Sequence, residues 1–195
     1  MSGQIDDTIS WENSDFSIIK TKNNLPFNPS EHGITPSDIS SDCVRGFWCN
    51  FSIAGNELFI ENLYIHSKNN HYPAICGTLP LTKNETFDDD YRTYSNLHLK
   101  LDYTDRVLVG KDFLPEHYIH TWTQKPWAYK NIFELVFTNG QLVKAIDHSK
   151  IVTDIRKQIN ENETLRKKLE LPLTRIIISG KDILPRGYDA DFWWI

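Results

Sequence analysis

The chain has 195 residues, a net charge of −5 and three cysteines, with 39% hydrophobic and 24% charged residues. At this length one domain buries roughly 70% of its unfolded surface and folds without disulfides or a metal. The mild acidity argues against a phosphate-neutralising nucleic-acid surface, and no apolar run approaches the ~20 residues that span a bilayer, so neither nucleic acid nor membrane is an expected partner.

The first residues, MSGQIDDTISWENSDF, are acidic and polar, unlike a secretory signal or an Arg-rich transit peptide, and a cytoplasmic location is expected. In that compartment Cys43, Cys49 and Cys76 are expected as free thiols. Cys43 and Cys49 match no zinc-knuckle spacing, and no metal or cofactor is expected. Residues 1–42, broken by Pro26, Pro29, Gly33 and Pro36, read as an irregular N-terminal arm. Within it, Phe16-Ser17-Ile18-Ile19 is a candidate short strand. Thr35 and Pro36 are placed to cap and open a single helical turn.

A β-rich core is expected over 43–147. Phe47, Cys49, Phe51 and Ile53 recur at period two, and Gly55-Asn56 offers a turn into a second strand from Glu57 to Ile65. Alternation in that second strand is broken, which predicts either a bulge near Glu61-Asn62 or burial on both faces. His71 to Gly77 reads as an edge strand because of Pro73, and 82–92 as a polar loop. Leu97, Leu99, Leu101 and Tyr103 alternate with Asn96, His98, Lys100 and Asp102, predicting a half-wet antiparallel strand. A return strand follows from Arg106 and another is expected from His117 to Gln124. Asn139-Gly140 between apolar runs is the strongest hairpin signal in the chain.

Residues 148–195 read as a helix, a short strand and an apolar tail. Ser149 is the candidate cap, and Ile151, Ile155 and Ile159 form one apolar stripe in a helical region at about 149–171, interrupted near Asn160 to Asn162. Arg175 to Gly180 is a candidate buried strand, and Phe192-Trp193-Trp194-Ile195 closes the chain. The basic cluster Arg166-Lys167-Lys168 is flanked by Glu161, Glu163 and Glu170, the pattern of a solvated helix face. Together these elements predict an α+β fold in a single domain, 1–195: a mainly antiparallel, curled sheet, as a partial barrel or sandwich, with one helical segment.

No nucleophile elbow, phosphate loop or His-Glu-x-x-His motif is present, so no catalytic residue is assigned. His117 and His120, three apart, fall on opposite faces if the segment is a strand, which does not suit a metal site. His66 and His71 bracket a polar turn without an evident third ligand. Two features point to binding. Trp48 is out of phase with Phe47, Cys49 and Phe51 and therefore points outward, either as a binding surface or beneath a covering arm or helix. Asp88, Asp89 and Asp90 form an acidic run suited to a rim that meets Lys or Arg of a basic protein partner.

The segment from Arg45 to Ile60, an Arg-Gly-aromatic strand leading through a hairpin to a Leu-aromatic return strand, resembles one found in small uncharacterised bacterial proteins of the toxin-immunity type. That resemblance implies a non-catalytic protein that binds and neutralises a partner protein. The alternative is a small-ligand or carbohydrate-binding β-domain with an aromatic-lined pocket.

Overall fold

The computed structural model describes residues 5–38, 40–81, 91–118, 123–162 and 192–194. The described chain builds nine strands: β1 (Thr8–Trp11), β2 (Ser14–Thr21), β3 (Phe47–Ala54), β4 (Glu57–Ile65), β5 (Arg92–Tyr94), β6 (Leu99–Lys100), β7 (Arg106–Phe113), β8 (Tyr129–Thr138) and β9 (Gln141–Asp147). One α-helix, α1 (Ser149–Glu161), follows them. The strands form a single sheet in the order β3-β1-β2-β7-β8-β9-β4, and β4 pairs back onto β3, so the sheet curls into a ring. β5 and β6 pair with β4 beyond its contact with β9. The β1–β3 pairing is parallel and the other strand pairings are antiparallel, which makes this the expected α+β fold with a curled, mainly antiparallel sheet.

Three hairpins supply most of the ring, and each turns through two residues with positive φ: Glu12-Asn13, Gly55-Asn56 and Asn139-Gly140. Positive φ at both central positions matches the right-handed twist of the flanking strands. The broken alternation of β4 comes from a bulge. Asn50 pairs with Asn62 and Phe51 with Ile60, so Glu61 is the extra residue. Leu58 and Ile60 before it, and Leu63 and Ile65 after it, all reach the core. The two hairpins meet at their turns, where Leu58 N–H donates to Gly140 O at 2.9 Å and Leu142 N–H to Asn56 O at 2.7 Å.

Apolar side chains fill the ring. Ile9, Phe16, Phe47, Phe51, Leu58, Ile60, Val109, Leu135 and Phe137 belong to one buried cluster. A second cluster lies outside the ring, where Ile151, Val152, Ile155 and Ile159 of α1 cover Leu108 and Ile132. Residue 19, extra in the register between Ile18 and Lys20, sends its side chain into this outer cluster.

Several expectations are corrected. The supposed irregular arm contains the β1–β2 hairpin, whose polar composition reflects strands wet on one face. Its helical turn lies at Pro29–His32, capped by Asn28, whereas Pro36 bridges Ser67 in extended form. The half-wet strand over 97–103 shrinks to Leu99–Lys100, because Asn96 and His98 take positive φ and break the extended backbone. The facing was right: Leu97, Leu101 and Tyr103 are buried. The strand expected from His117 begins instead with a 3-10 turn, Pro115–His117. Ser149 does not cap α1. It is the first helical residue, its N–H donates to Asp147 Oδ1 at 2.8 Å, and its hydroxyl accepts from Ile132 N–H at 3.1 Å. The expected strand at 175–180 and the helix beyond Asn162 lie outside the described residues.

Candidate functional site

Register across the sheet builds the site around Trp48. Trp48 pairs with Tyr64 on β4, Tyr64 with Thr93 on β5, and Thr93 bridges Leu81. Residues directly opposite each other share a sheet face, so these four side chains form one row. Phe47, Cys49 and Phe51 turn inward, and the row therefore faces outward, as the phase of Trp48 predicts. Trp48 and Tyr64 stack with centroids 4.7 Å apart and planes at 5°. Tyr91 meets both rings edge-on, at 5.0 and 6.1 Å. Trp48 is half-buried, with both tyrosine rings packed against it.

The row ends in exposed aliphatic surface. Leu81 is 59% exposed and Leu79 is 69% exposed. Leu81 therefore brings an exposed aliphatic side chain to the end of a row that also holds two stacked aromatic rings. Asp88, Asp89 and Asp90 lie outside the described residues. Their flanking described neighbours in the chain, Leu81 and Tyr91, both belong to this patch.

Below the row, the same face is polar. Asn62 Nδ2 donates to Asn50 Oδ1 at 3.4 Å, and Asn50 Nδ2 to Thr8 Oγ1 at 2.7 Å. The bulge at Glu61 aims its carboxylate along this face, where it accepts from Ser52 Oγ at 2.5 Å and meets His98 Nδ1 at 3.1 Å. His98 stacks on Phe59 with centroids 4.4 Å apart. A shallow cleft beside the β1–β2 turn, lined by Ser10, Glu12, Asn13, Asp15 and Ser52, continues the polar band.

The remaining candidates have structural surroundings. His117 sits half-buried in its 3-10 turn, and burial lowers its pKa. His120 lies outside the described residues. His66 contacts the Asp38 carbonyl at 3.3 Å through Nδ1, whereas His71 is tied by its backbone N–H to Ser67 Oγ at 3.2 Å. Among the described residues no group of three or more His, Cys, Asp or Glu side chains is placed to hold a metal ion. The cysteines are free thiols. Cys43 and Cys49 are buried, which pushes both pKa values up, and Cys76 is exposed.

Two buried networks position this frame. Asp7 Oδ1 accepts from Arg45 Nη2 at 2.6 Å and from Cys49 N–H at 2.8 Å, pinning the entry of β1 to β3. Beside it, desolvation raises the Asp6 carboxyl to about 6, against the lowering effect of hydrogen bonds from Ser17 and Tyr129. Further along β8, Glu134 accepts from Arg106 Nη1 at 3.0 Å and meets His148 Nε2 at 2.9 Å. Burial pushes the Glu134 carboxyl up, but hydrogen bonds from His148, Trp193 and Arg106 outweigh it and hold the group below its ordinary range.

Sequence reasoning placed Trp48 on the outward face but did not bring Tyr64, Tyr91, Leu81, Glu61 and His98 beside it. The register was the missing signal: the Gly55-Asn56 turn with one bulge residue at Glu61 fixes Tyr64 opposite Trp48. No known family profile, no curated protein and no solved structure matches the chain. Among the described residues no helix is long and apolar enough to cross a membrane.

Proposed function

We propose that this is a non-catalytic, cytoplasmic binding protein that neutralises or regulates a partner protein of basic surface, in the manner of bacterial immunity proteins. The observation that carries this reading is the outward row Trp48, Tyr64, Thr93 and Leu81, its half-buried rings joined edge-on by Tyr91 and its end, Leu81, exposed. Aromatic and aliphatic groups provide the desolvated anchor of an interface and govern dissociation. The net charge of −5 and the run Asp88-Asp89-Asp90, joined in sequence to Tyr91, fit a rim that speeds encounter with a cationic partner. The test is capture of the partner from the source cell, followed by binding kinetics. Leu81→Asp should abolish capture without lowering thermal stability, because Leu81 is largely exposed. Replacing Asp88, Asp89 and Asp90 by Asn should slow association at low salt and leave dissociation unchanged. Unaltered capture by Leu81→Asp removes the patch from the mechanism.

The alternative, a small-ligand or carbohydrate-binding domain, is favoured by the polar band Asn50, Asn62, Ser52, Glu61 and His98 beside an aromatic cluster. Because apolar side chains fill the ring, that ligand would sit on the outer face. Saturable shifts of the His98 ring resonances on adding a glycan would support it.

A further inference from the structure

Asn139 and Gly140 form the single Asn-Gly pair of the chain. In this dipeptide no side chain shields the amide nitrogen that follows the asparagine. That nitrogen attacks the asparagine's own side-chain amide wherever the backbone lets the two meet. Asn13 and Asn56 also take positive φ in hairpin turns, but they precede Ser14 and Glu57, whose side chains hinder the same attack. Asn139 is exposed, so water reaches it.

The folded chain holds the reacting groups apart. Gly140 N–H donates to Tyr103 O at 2.9 Å, which keeps the proton on the nitrogen and aims it away from Asn139. Asn139 N–H donates to Thr104 Oγ1 at 2.8 Å, and the same hydroxyl donates to Asn139 Oδ1 at 3.2 Å. One threonine thus fixes both the backbone and the side chain of the asparagine. The turn has no room to swivel, because a Cβ at Gly140 would fall 2.0 Å from the Leu101 carbonyl oxygen. Gly140 O accepts from Leu58 N–H at 2.9 Å. All these ties come from segments distant in sequence, so tertiary structure, rather than the dipeptide, bars the chemistry.

We propose that Asn139 is a self-modification site gated by the fold: it converts to isoaspartate when the turn parts from residues 101–104 and is preserved while they hold it. In the reaction Gly140 N gives its proton to hydroxide and forms a bond to Asn139 Cγ. The Cγ–Nδ2 bond breaks, and ammonia leaves with a proton taken from water. A second water opens the resulting cyclic imide at either carbonyl, leaving aspartate or isoaspartate and one added negative charge. Isoaspartate routes the main chain through Cβ and Cγ, which adds one backbone atom. A two-residue hairpin turn has no place for that atom, so Gly140 N–H and O no longer reach Tyr103 and Leu58 together. The mark therefore accumulates with the time the turn spends open and outlasts each opening.

The test incubates the full chain in mildly alkaline buffer, native and in guanidinium side by side. Peptide mass spectrometry counts aspartate and isoaspartate at position 139. Three hydrogen bonds of ordinary strength should hold the native rate about a hundredfold below the unfolded one. Thr104→Val, which removes the hydroxyl at an exposed position, should raise the native rate about fivefold or more, and Thr104→Ser should restore it. A native rate within about tenfold of the unfolded one overturns the proposal. So does a folded Thr104→Val chain that reacts no faster than the wild type. If Thr104→Val loses its near-UV circular dichroism, the wild type at graded guanidinium below its midpoint decides: the rate must climb with denaturant, and a flat rate refutes the gate. The isoaspartate form, isolated by anion exchange, should unfold in less urea than its parent, and equal midpoints refute the claim that the mark keeps the turn open.

Discussion

Gly140 and Gly55 occupy the same kind of turn in different surroundings, and replacing each by Ala separates backbone strain from collision. Both have positive φ, 75° and 57°. Placing an L side chain in this region costs ~1 kcal/mol at either site. At Gly55 nothing lies within 4 Å of the added Cβ, so the strain is the whole cost. At Gly140 the Cβ would fall 2.0 Å from the Leu101 carbonyl oxygen, a backbone atom that cannot rotate away. Relief requires the 101–103 segment to move. That segment accepts Gly140 N–H at Tyr103 O, at 2.9 Å, while Gly140 O accepts from Leu58 N–H at 2.9 Å. Losing both bonds adds ~2 kcal/mol, for a total of ~3 kcal/mol. With a urea slope of ~2 kcal/mol per molar, the midpoint should fall by ~1.5 M for Gly140→Ala and by ~0.5 M for Gly55→Ala. Tryptophan fluorescence during urea titration reads both. Equal midpoints for the two variants would refute the argument that the hairpin turns close the ring through Gly140.

Asp6 has a folded pKa raised from 3.8 to about 6, so ionising it costs stability as pH rises through that window, and Asp6→Asn should be ~1–2 kcal/mol more stable than the wild type at pH 8 with the gain vanishing by pH 4. Thermal melts across that range check it; a pH-independent difference contradicts the desolvation account. Glu134 is depressed instead, so its contribution is present at neutral pH and is lost as pH falls below the ordinary carboxyl range. Glu134→Gln should cost ~2 kcal/mol at pH 7 and progressively less toward pH 3, as measured by chemical denaturation. A thiol reagent should titrate one group, Cys76, in the native protein and three after unfolding. Two fast groups in the native state would place Cys43 or Cys49 at the surface.

The ring could be read from the chain to the extent that its hairpins are local. The turns at Gly55-Asn56 and Asn139-Gly140 need positive φ, which glycine and asparagine announce. The stripe Ile151, Ile155 and Ile159 announces the buried face of α1 for a similar reason. What stayed hidden is non-local. The parallel pairing of Thr8, Ile9 and Ser10 with Asn50, Phe51 and Ser52 leaves no trace in either segment, so the β1–β2 hairpin passed as an arm. The alternation from Leu97 to Tyr103 reported facing correctly and backbone wrongly, because hydrogen bonding to Glu61 and Leu58 holds a bent segment in place of a strand. At the site, Trp48 showed through its phase, but its neighbours depend on the Glu61 bulge, Thr93 and Leu81, which pairing alone brings together.

The seam between β4 and β9 consists of one residue pair, Glu57 with Gln141, whose Nε2 donates to Glu57 Oε1 at 2.7 Å, and the two backbone bonds beside it, whereas β3–β4 and β7–β8 are paired along most of their lengths. A ring with one such short junction opens there first when it fluctuates, since separating it breaks few bonds and leaves the long hairpins intact. The amide protons of Leu58 and Leu142 should then exchange with solvent through that local parting, well before those of Val109 or Leu135. Chain fluctuation would thus be graded around the circumference. The two turns would act as a latch on an otherwise durable wall, and water would reach the interior along the line between Asn56 and Gly140.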